Sequence, residues 1–289
     1  MTIGVTGATG GVGSGVVRHL LERPDRPPVV AIARRPGAVP EGARPTARRA
    51  DYEDPRSLRA AFGGIDTLVF VASDGEAEVV RRHHEHVVLA AIAAGVGRVV
   101  YTSILDVSPN STFYYSPIHR ETEARLAASD IATCFARTSI FGDFLVETWI
   151  GPALETGTLA LPAGEGGMSL ITREDTARVL AEAARSNLDG VIEVTGPAAP
   201  TAAEVAHIVQ ARTGRTLHYE ALDDDDYRRR LDDMGEPGWL IEAYASMFGS
   251  VRDGGFATVS DDVAELTGIP PETFETFVCA ASLVWVTES

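Results

Sequence analysis

Gly7, Gly10 and Gly13 stand three residues apart and follow Thr2-Ile3-Gly4-Val5-Thr6 without a gap. The residues before them read as a short buried strand. After them, Val16, Val17, Leu20 and Leu21 make one apolar helix face, with Arg18 and Glu22 outside it. Strand, glycine turn and helix in immediate succession is the setting in which such glycines hold a dinucleotide. Gly7 permits the tight turn, Gly10 lets the backbone approach a pyrophosphate, and Gly13 lets the helix pack closely on the sheet. Thr9, Gly11 and Val12 complete the turn, and the helix start offers free N–H groups and a partial positive charge to phosphates. A glycine loop kept for packing alone is the plain alternative, and the strand and helix around it weigh against that.

The rest of the first half repeats the alternation. Pro28 to Ala33 reads as a second strand ending in Arg34-Arg35-Pro36, and Ala50-Asp51-Tyr52 closes a short third. A chain selecting NAD would place an acid after the second strand, for the ribose 2′-hydroxyl. Arg34 and Arg35 instead suit a 2′-phosphate, through charge-assisted hydrogen bonds, and so point to NADP. Asp51 and Tyr52 fall where adenine would lie, though a plain helix-entry role before Asp54-Pro55 is also open. Thr67 to Ala72 is an unbroken apolar run, as a buried parallel strand should be. Ala72 and Ser73 end it at the carboxyl edge, where ligands bind in such sheets. Arg98 to Ser103 is a fifth strand, again closing in hydroxyls. Ile131 to Ala136 is a sixth, ending in Arg137-Thr138-Ser139. The order predicts an α/β fold with a doubly wound parallel sheet.

Composition removes several function classes. The net charge of −16 opposes nucleic-acid binding over most of the surface. No apolar run approaches membrane-spanning length, and the first strand leaves no room for a signal peptide, so a cytoplasmic setting is expected. Cys134 and Cys279 both sit in apolar sequence and are expected to be core thiols rather than a disulfide. His83 and His86 share a helix face, but no further ligand cluster accompanies them, so no metal site is expected. There is no lysine anywhere in the chain. Schiff-base chemistry and lysine-assisted acid catalysis are therefore excluded.

The character changes after about residue 150. Gly151 to Met168 is rich in glycine and proline, and Phe141, Phe144, Trp149 and Met168 supply scattered large apolar side chains. Capped helix starts are expected at Thr172 and at Thr201 with Glu204. Asp223 to Asp226 before Arg228 to Arg230 reads as an exposed helix with its charges ordered along the dipole. A strand is expected over 191–195, and closing helices over 260–268 and 271–286. These signals divide the chain into a dinucleotide-binding part, 1–150 with a returning strand near 190–195, and a smaller mixed C-terminal lobe, 151–289.

Several of these segments together resemble a known group. The turn Thr6 to Gly13, the strand end Ala31-Ile32-Ala33-Arg34, Asp51-Tyr52, Tyr101-Thr102-Ser103, His119 to Glu123, and Arg137 with Phe141 and Phe144 are similar to an atypical branch of the short-chain dehydrogenases. This is the NmrA-like group, including NADPH-dependent type-2 quinone oxidoreductases and triphenylmethane reductases. The resemblance runs nearly the full length. It implies a Rossmann domain, bound NADPH, a substrate cleft between lobes, and contributions to the cofactor from Tyr101, Thr102, His119 and Arg137. Two positions depart from relatives. His119 stands four residues after Tyr115, where ordinary short-chain dehydrogenases carry lysine, and Thr138 follows Arg137 where asparagine is common.

A site without lysine suits an acceptor that is already electrophilic. Reducing a simple ketone demands a positioned acid. A quinone gives a hydroquinone anion comparable to a phenolate of pKa about 10, and a cationic dye carbon needs no proton. The expected activity is therefore hydride transfer from NADPH to a quinone-like or conjugated aromatic acceptor, walled by Phe141, Phe144, Trp149 and Met168. His119 would protonate product or orient the ribose, with Ser103 or Tyr115 bonded to the acceptor oxygen. Pro117 makes a regular helix between Tyr115 and His119 doubtful. Two other readings stay open: an NADP(H)-binding redox sensor without turnover, and a tailoring ketoreductase or oxygenase acting on an aromatic polyketide. An exposed apolar helix face would favour a homodimer.

Overall fold

The computed structural model describes residues 1–287, apart from the side chains of Pro45 and of 281–287. Two compact units emerge, and each is discontinuous in sequence. The first comprises Met1–Ile104, Ile118–Arg137 and Arg173–Ile192; the second comprises Leu105–Pro117, Thr138–Thr172 and Glu193–Ser289.

Elements of the first stretch alternate as the sequence implies: β1 (Ile3–Val5), α1 (Gly11–Glu22), β2 (Val29–Ala33), β3 (Arg48–Arg49), α2 (Pro55–Phe62), β4 (Thr67–Phe70), α3 (Ala77–Ala94) and β5 (Arg98–Ile104). They are followed by α4 (Ser116–Ala127) and β6 (Ala132–Thr138). Then come α5 (Gly142–Leu145), α6 (Gly151–Thr156), β7 (Thr158–Leu161), α7 (Arg173–Arg185) and β8 (Gly190–Val194). The remainder is α8 (Ala202–Thr213), β9 (His218–Ala221), α9 (Asp224–Asp233), α10 (Gly238–Arg252), α11 (Asp262–Thr267) and α12 (Phe274–Thr287).

Seven strands form one sheet in the order β3-β2-β1-β4-β5-β6-β8. The pairs β1–β2, β1–β4, β2–β3 and β4–β5 are parallel. The chain steps outward from β1 to β3, then returns to place β4 on the other side of β1. That reversal creates a crevice beyond the carboxyl ends of β1 and β4. Ile32, Leu58, Phe62, Leu68, Phe70, Val87, Val99, Tyr101 and Leu126 form one buried cluster of the first unit. Each such side chain stabilises the fold by about 1.5–3 kcal/mol through burial. Against α1 lies α7: a Cβ on Gly15 would stand 2.6 Å from that of Ala177, so glycine sets how closely the two helices approach.

Local signals explain most boundaries. Asp54 caps α2 by accepting from the N–H groups of Arg56 and Ser57, with Pro55 in the first turn. Thr201 and Glu204 close a reciprocal capping box on α8, and Asp223 caps the acid-first α9. Several expectations need correction. β3 ends at Arg49, before Ala50, Asp51 and Tyr52, which form the loop after it. Pro117 does not interrupt a helix; it occupies the first turn of α4, where its missing N–H costs nothing. Cys134 is buried, but Cys279 is exposed, so only the first is a core thiol.

In the second unit, β7 and β9 form a separate two-stranded parallel sheet, with Thr158 opposite His218. Ahead of it, Val146–Ile150 is wound as a π-helix. Neither feature was expected from the glycine-rich sequence around them. Among the described residues no helix is long and apolar enough to cross a membrane, and no group of His, Cys, Asp and Glu is arranged to hold a metal.

Candidate functional site

The glycine turn leaves β1 with Gly7 at φ +60°, a left-handed conformation that favours glycine. The Gly10 N–H donates to the Gly7 carbonyl at 2.9 Å, and the Ser14 N–H donates to the Gly10 carbonyl at 2.9 Å. A Cβ on Gly13 would lie 2.6 Å from the Gly7 carbonyl carbon and 2.9 Å from the Thr6 oxygen. Gly13 is thus required for α1 to sit on the turn. Gly10 is different: a Cβ there would meet only the Gly7 oxygen, at 3.4 Å. Thr9, Gly10 and Gly11 are exposed, while Val12 packs inward. The side-chain methylene of Arg173 comes within 2.8 Å of where a Gly11 Cβ would be, laying a basic residue over the start of α1. Arg173 belongs to α7, far along the chain, and no local spacing announced it.

Beyond this turn, at the β1–β4 crevice, lies a cavity of about 360 Å³. Gly7, Thr9, Gly10, Arg34, Asp51, Tyr52, Ala72, Ser73 and His83 are among the residues that line it. Thus the strand ends expected to meet a nucleotide converge on one space. Arg34 is exposed there. A hydroxyl network shapes the floor. Tyr52 Oη bonds to Thr6 Oγ1 at 2.6 Å and to the Val71 carbonyl at 2.7 Å, and Thr6 Oγ1 accepts the Val71 N–H at 3.0 Å. Burial pushes the Tyr52 phenol well above its usual range. Thr102 Oγ1 accepts the Ala72 N–H at 2.7 Å and so fixes the loop after β4. At the rim, Ser73 Oγ meets His83 Nδ1 at 3.1 Å, and His83 Nε2 meets Glu53 at 3.0 Å. Glu53 also takes a bidentate pair from Arg82, which holds its carboxyl down at about 2. Val71 carried no signal in sequence, and His83, weighed there only beside His86 as a metal ligand, reaches the rim from α3.

Other expected residues lie outside that lining. Tyr101 is fully buried, and its Oη is 2.8 Å from His119 Nδ1. His119 is only 5% exposed, and burial lowers its pKa to about 3. Ser103 is buried on the same strand. Arg137 makes a bidentate pair with Glu123, at 3.0 and 2.6 Å. Tyr115 packs edge-on against Tyr114 at 4.9 Å and Phe113 at 5.7 Å.

In the second unit Trp149 is the hub of an aromatic group. Phe144, Tyr244 and Phe248 each lie edge-on to it, with ring centroids 5.0 Å away. Its Nε1–H donates to Tyr227 Oη at 3.0 Å. Phe144 and Tyr244 keep some exposure, whereas Met168 has none. Phe141 bridges to Ile171, and the Gly142 N–H donates to the Ile171 carbonyl at 2.8 Å.

Comparison with known proteins gives this geometry its context. The family described as NAD(P)H-binding matches residues 7–187. Quinone oxidoreductase 2 of Escherichia coli (strain K12) is 32% identical over 281 residues, covering 94% of this chain and 95% of its own. The chain belongs to the NAD(P)H-binding, NmrA-like family. An NAD(P)H azoreductase of Xenophilus azovorans is 31% identical over 280 residues, with 96% of each chain covered. The crystal structure of the NADPH-dependent quinone oxidoreductase of Escherichia coli, complexed with NADPH, superposes with a TM-score of 0.89. It is 29% identical and covers 96% of this chain and 99% of that one. The family assignment, the Rossmann-like sheet and NAD(P)H binding therefore agree, and the chain falls among oxidoreductases.

Proposed function

We propose that this protein is an NADPH-dependent oxidoreductase acting on a quinone-like or conjugated aromatic acceptor. The observation that carries the reading is the cavity at the sheet's reversal point, lined by the glycine turn on one side and Arg34 on another. The residues fit a dinucleotide. Gly10 and Gly11 leave a bare, exposed backbone at the turn, Gly13 lets α1 sit on that turn, the start of α1 offers N–H groups to phosphates, and Arg34 suits a 2′-phosphate. When bound, NADPH supplies the hydride.

The chain's own part is to bind and orient. Thr9, Gly10, Gly11 and Val12 present the phosphate-binding turn, with Gly13 seating it. Asp51 and Tyr52 border the adenine side, and Thr102 sets Ala72 and Ser73 at the strand edge. Tyr101, His119 and Arg137, the last held by Glu123, support the nicotinamide half. For the acceptor, Phe141, Phe144, Trp149 and Met168 are the candidate apolar wall, and Ser103 and Tyr115 the candidate hydroxyls. Orientation of two reactants is a large share of such catalysis. No lysine is present to assist a proton donor. A quinone, whose reduced form is a stabilised anion, and a cationic dye, whose reduced form is neutral, need none, which favours both over ketones. The names of the relatives, a quinone oxidoreductase and an azoreductase, support the same class.

The test is oxidation of NADPH against a quinone, an azo dye, a triphenylmethane dye and a simple ketone, with NADH as control. Turnover with the first three and little with ketone is expected. Tight NADPH binding without turnover on any acceptor would replace this reading with that of a redox sensor.

A further inference from the structure

Tyr101 of β5 and His119 belong to a chain of buried polar groups that also takes in His84 and Thr122. Thr122 Oγ1 is 2.8 Å from the Ile118 carbonyl and 3.0 Å from His84 Nδ1. Tyr101 Oη is 3.3 Å from the same His84 Nδ1 and 2.8 Å from His119 Nδ1. His84 is 2% exposed, and its Nε2 is enclosed without a partner. The rings are packed as well as bonded: His84 and His119 lie edge-on at 5.5 Å, and Tyr101 stacks on His119 at 5.7 Å.

Two proton arrangements compete in this chain: Tyr101 can give its proton to Thr122 or to His119, and the short 2.8 Å contact to His119 favours the second. A carbonyl oxygen only accepts, so the single Thr122 hydroxyl proton goes to Ile118. Thr122 Oγ1 is then an acceptor toward His84, and His84 Nδ1 must carry a proton. That N–H is shared between Thr122 and Tyr101, so Tyr101 Oη accepts from His84 and spends its own proton on His119. His119 Nδ1 is therefore the acceptor, and the neutral ring keeps its proton on Nε2. We propose that Tyr101, His84 and Thr122 are positioning residues that hold His119 as a neutral imidazole presenting Nε2–H.

The arrangement turns His119 into a fixed hydrogen-bond donor rather than a source of protons. Burial of both histidines, which disfavours their charged forms, acts in the same direction. A donor so oriented suits a ribose or carboxamide oxygen of the nucleotide, or the oxygen of an acceptor. The proton that completes a reduced quinone then comes from water. In its use, though not in its geometry, this inference rests on the oxidoreductase reading above.

Long-range ¹H–¹⁵N spectra of the imidazoles test it, because they separate protonated from bare ring nitrogens. His84→Gln and His119→Gln assign the two signals among the seven histidines. The expected pattern is His119 with Nδ1 bare and Nε2 protonated, His84 with the reverse, and neither ring titrating between about pH 5 and 8. In Tyr101→Phe, His119 should populate both tautomers. In turnover, His119→Gln, which retains an N–H donor, should keep at least tenfold more kcat than His119→Leu. A proton on His119 Nδ1, or an imidazolium at neutral pH in the unaltered protein, would overturn the inference without any variant having to fold. Absence of turnover on every acceptor would remove the oxidoreductase reading and leave the tautomer result standing by itself.

Discussion

Gly13 packs against Gly7 so closely that a Cβ at position 13 would fall 2.6 Å from the Gly7 carbonyl carbon, whereas one at Gly10 meets nothing nearer than 3.4 Å. The two glycines therefore fail differently. Gly13→Ala should force the turn and α1 apart, lowering stability by about 1–3 kcal/mol and abolishing nucleotide binding. Gly10→Ala should leave the urea midpoint unchanged and weaken only NADPH binding. Denaturation curves beside fluorescence titration separate the cases; equal loss of stability in both variants would show the distinction to be wrong.

Arg34 is exposed at the cavity, with Arg35 beside it in sequence but not in the lining. A charge-assisted hydrogen bond to phosphate contributes about 1.5–3 kcal/mol. Arg34→Ala should raise KM for NADPH by roughly 10- to 100-fold and leave KM for NADH nearly unchanged, with Arg35→Ala much milder. Parallel kinetics with the two nucleotides check this.

Tyr52 Oη joins Thr6 Oγ1 and the Val71 carbonyl, and Thr6 receives the Val71 N–H. Tyr52→Phe and Thr6→Val each strand buried partners and should each destabilise by about 1–3 kcal/mol. Because they share one network, the double variant should cost less than the two single effects added. Strict additivity in urea unfolding would dissolve the network.

Folded-state pKa values of His84 and His119 lie below the ordinary histidine value of 6.5, that of His119 at about 3, through burial. The unfolded chain binds more protons below pH 6.5 than the folded one. The stability these neutral rings contribute is complete above that pH and is lost as pH falls toward the folded values. Between about pH 6.5 and 4.5 the His119 ring should add a slope of up to about 1.4 kcal/mol per pH unit, with His84 acting in the same direction. Carboxylates such as Glu53, held at about 2 by Arg82, extend the loss below that window. Urea unfolding across this range should show the decline, shallower in His84→Gln.

What could be read in the sequence was whatever local chemistry decides. The turn Gly7 to Gly13, the Asp54-Pro55 helix start and the Thr201–Glu204 box each carry their cause within a few residues, and each appears in the fold. Convergence of Arg34, Asp51, Tyr52, Ala72 and Ser73 on one cavity was also legible, because parallel strands put their carboxyl ends on one edge. Long-range packing was not. Arg173 reaches Gly11 from α7, and His84 faces Tyr101 from α3, through contacts that no spacing encodes. Likewise, Trp149 gathers Tyr227, 78 residues on, and Tyr244 and Phe248 from the helix after it. The strand β7 was missed because its partner β9 lies beyond an intervening strand and two helices.

The interleaving of the two units has a consequence for how the protein is made. The first unit lacks its last segment, Arg173–Ile192, until more than half the chain has been synthesised. Until then α1 has no α7 to cover Gly15, and the apolar surface waiting for it stays wet. Vectorial synthesis therefore offers no early folded intermediate comprising the nucleotide site alone. A fragment ending near residue 150 should depend on chaperones or aggregate, and nascent chains should resist protease in one late step.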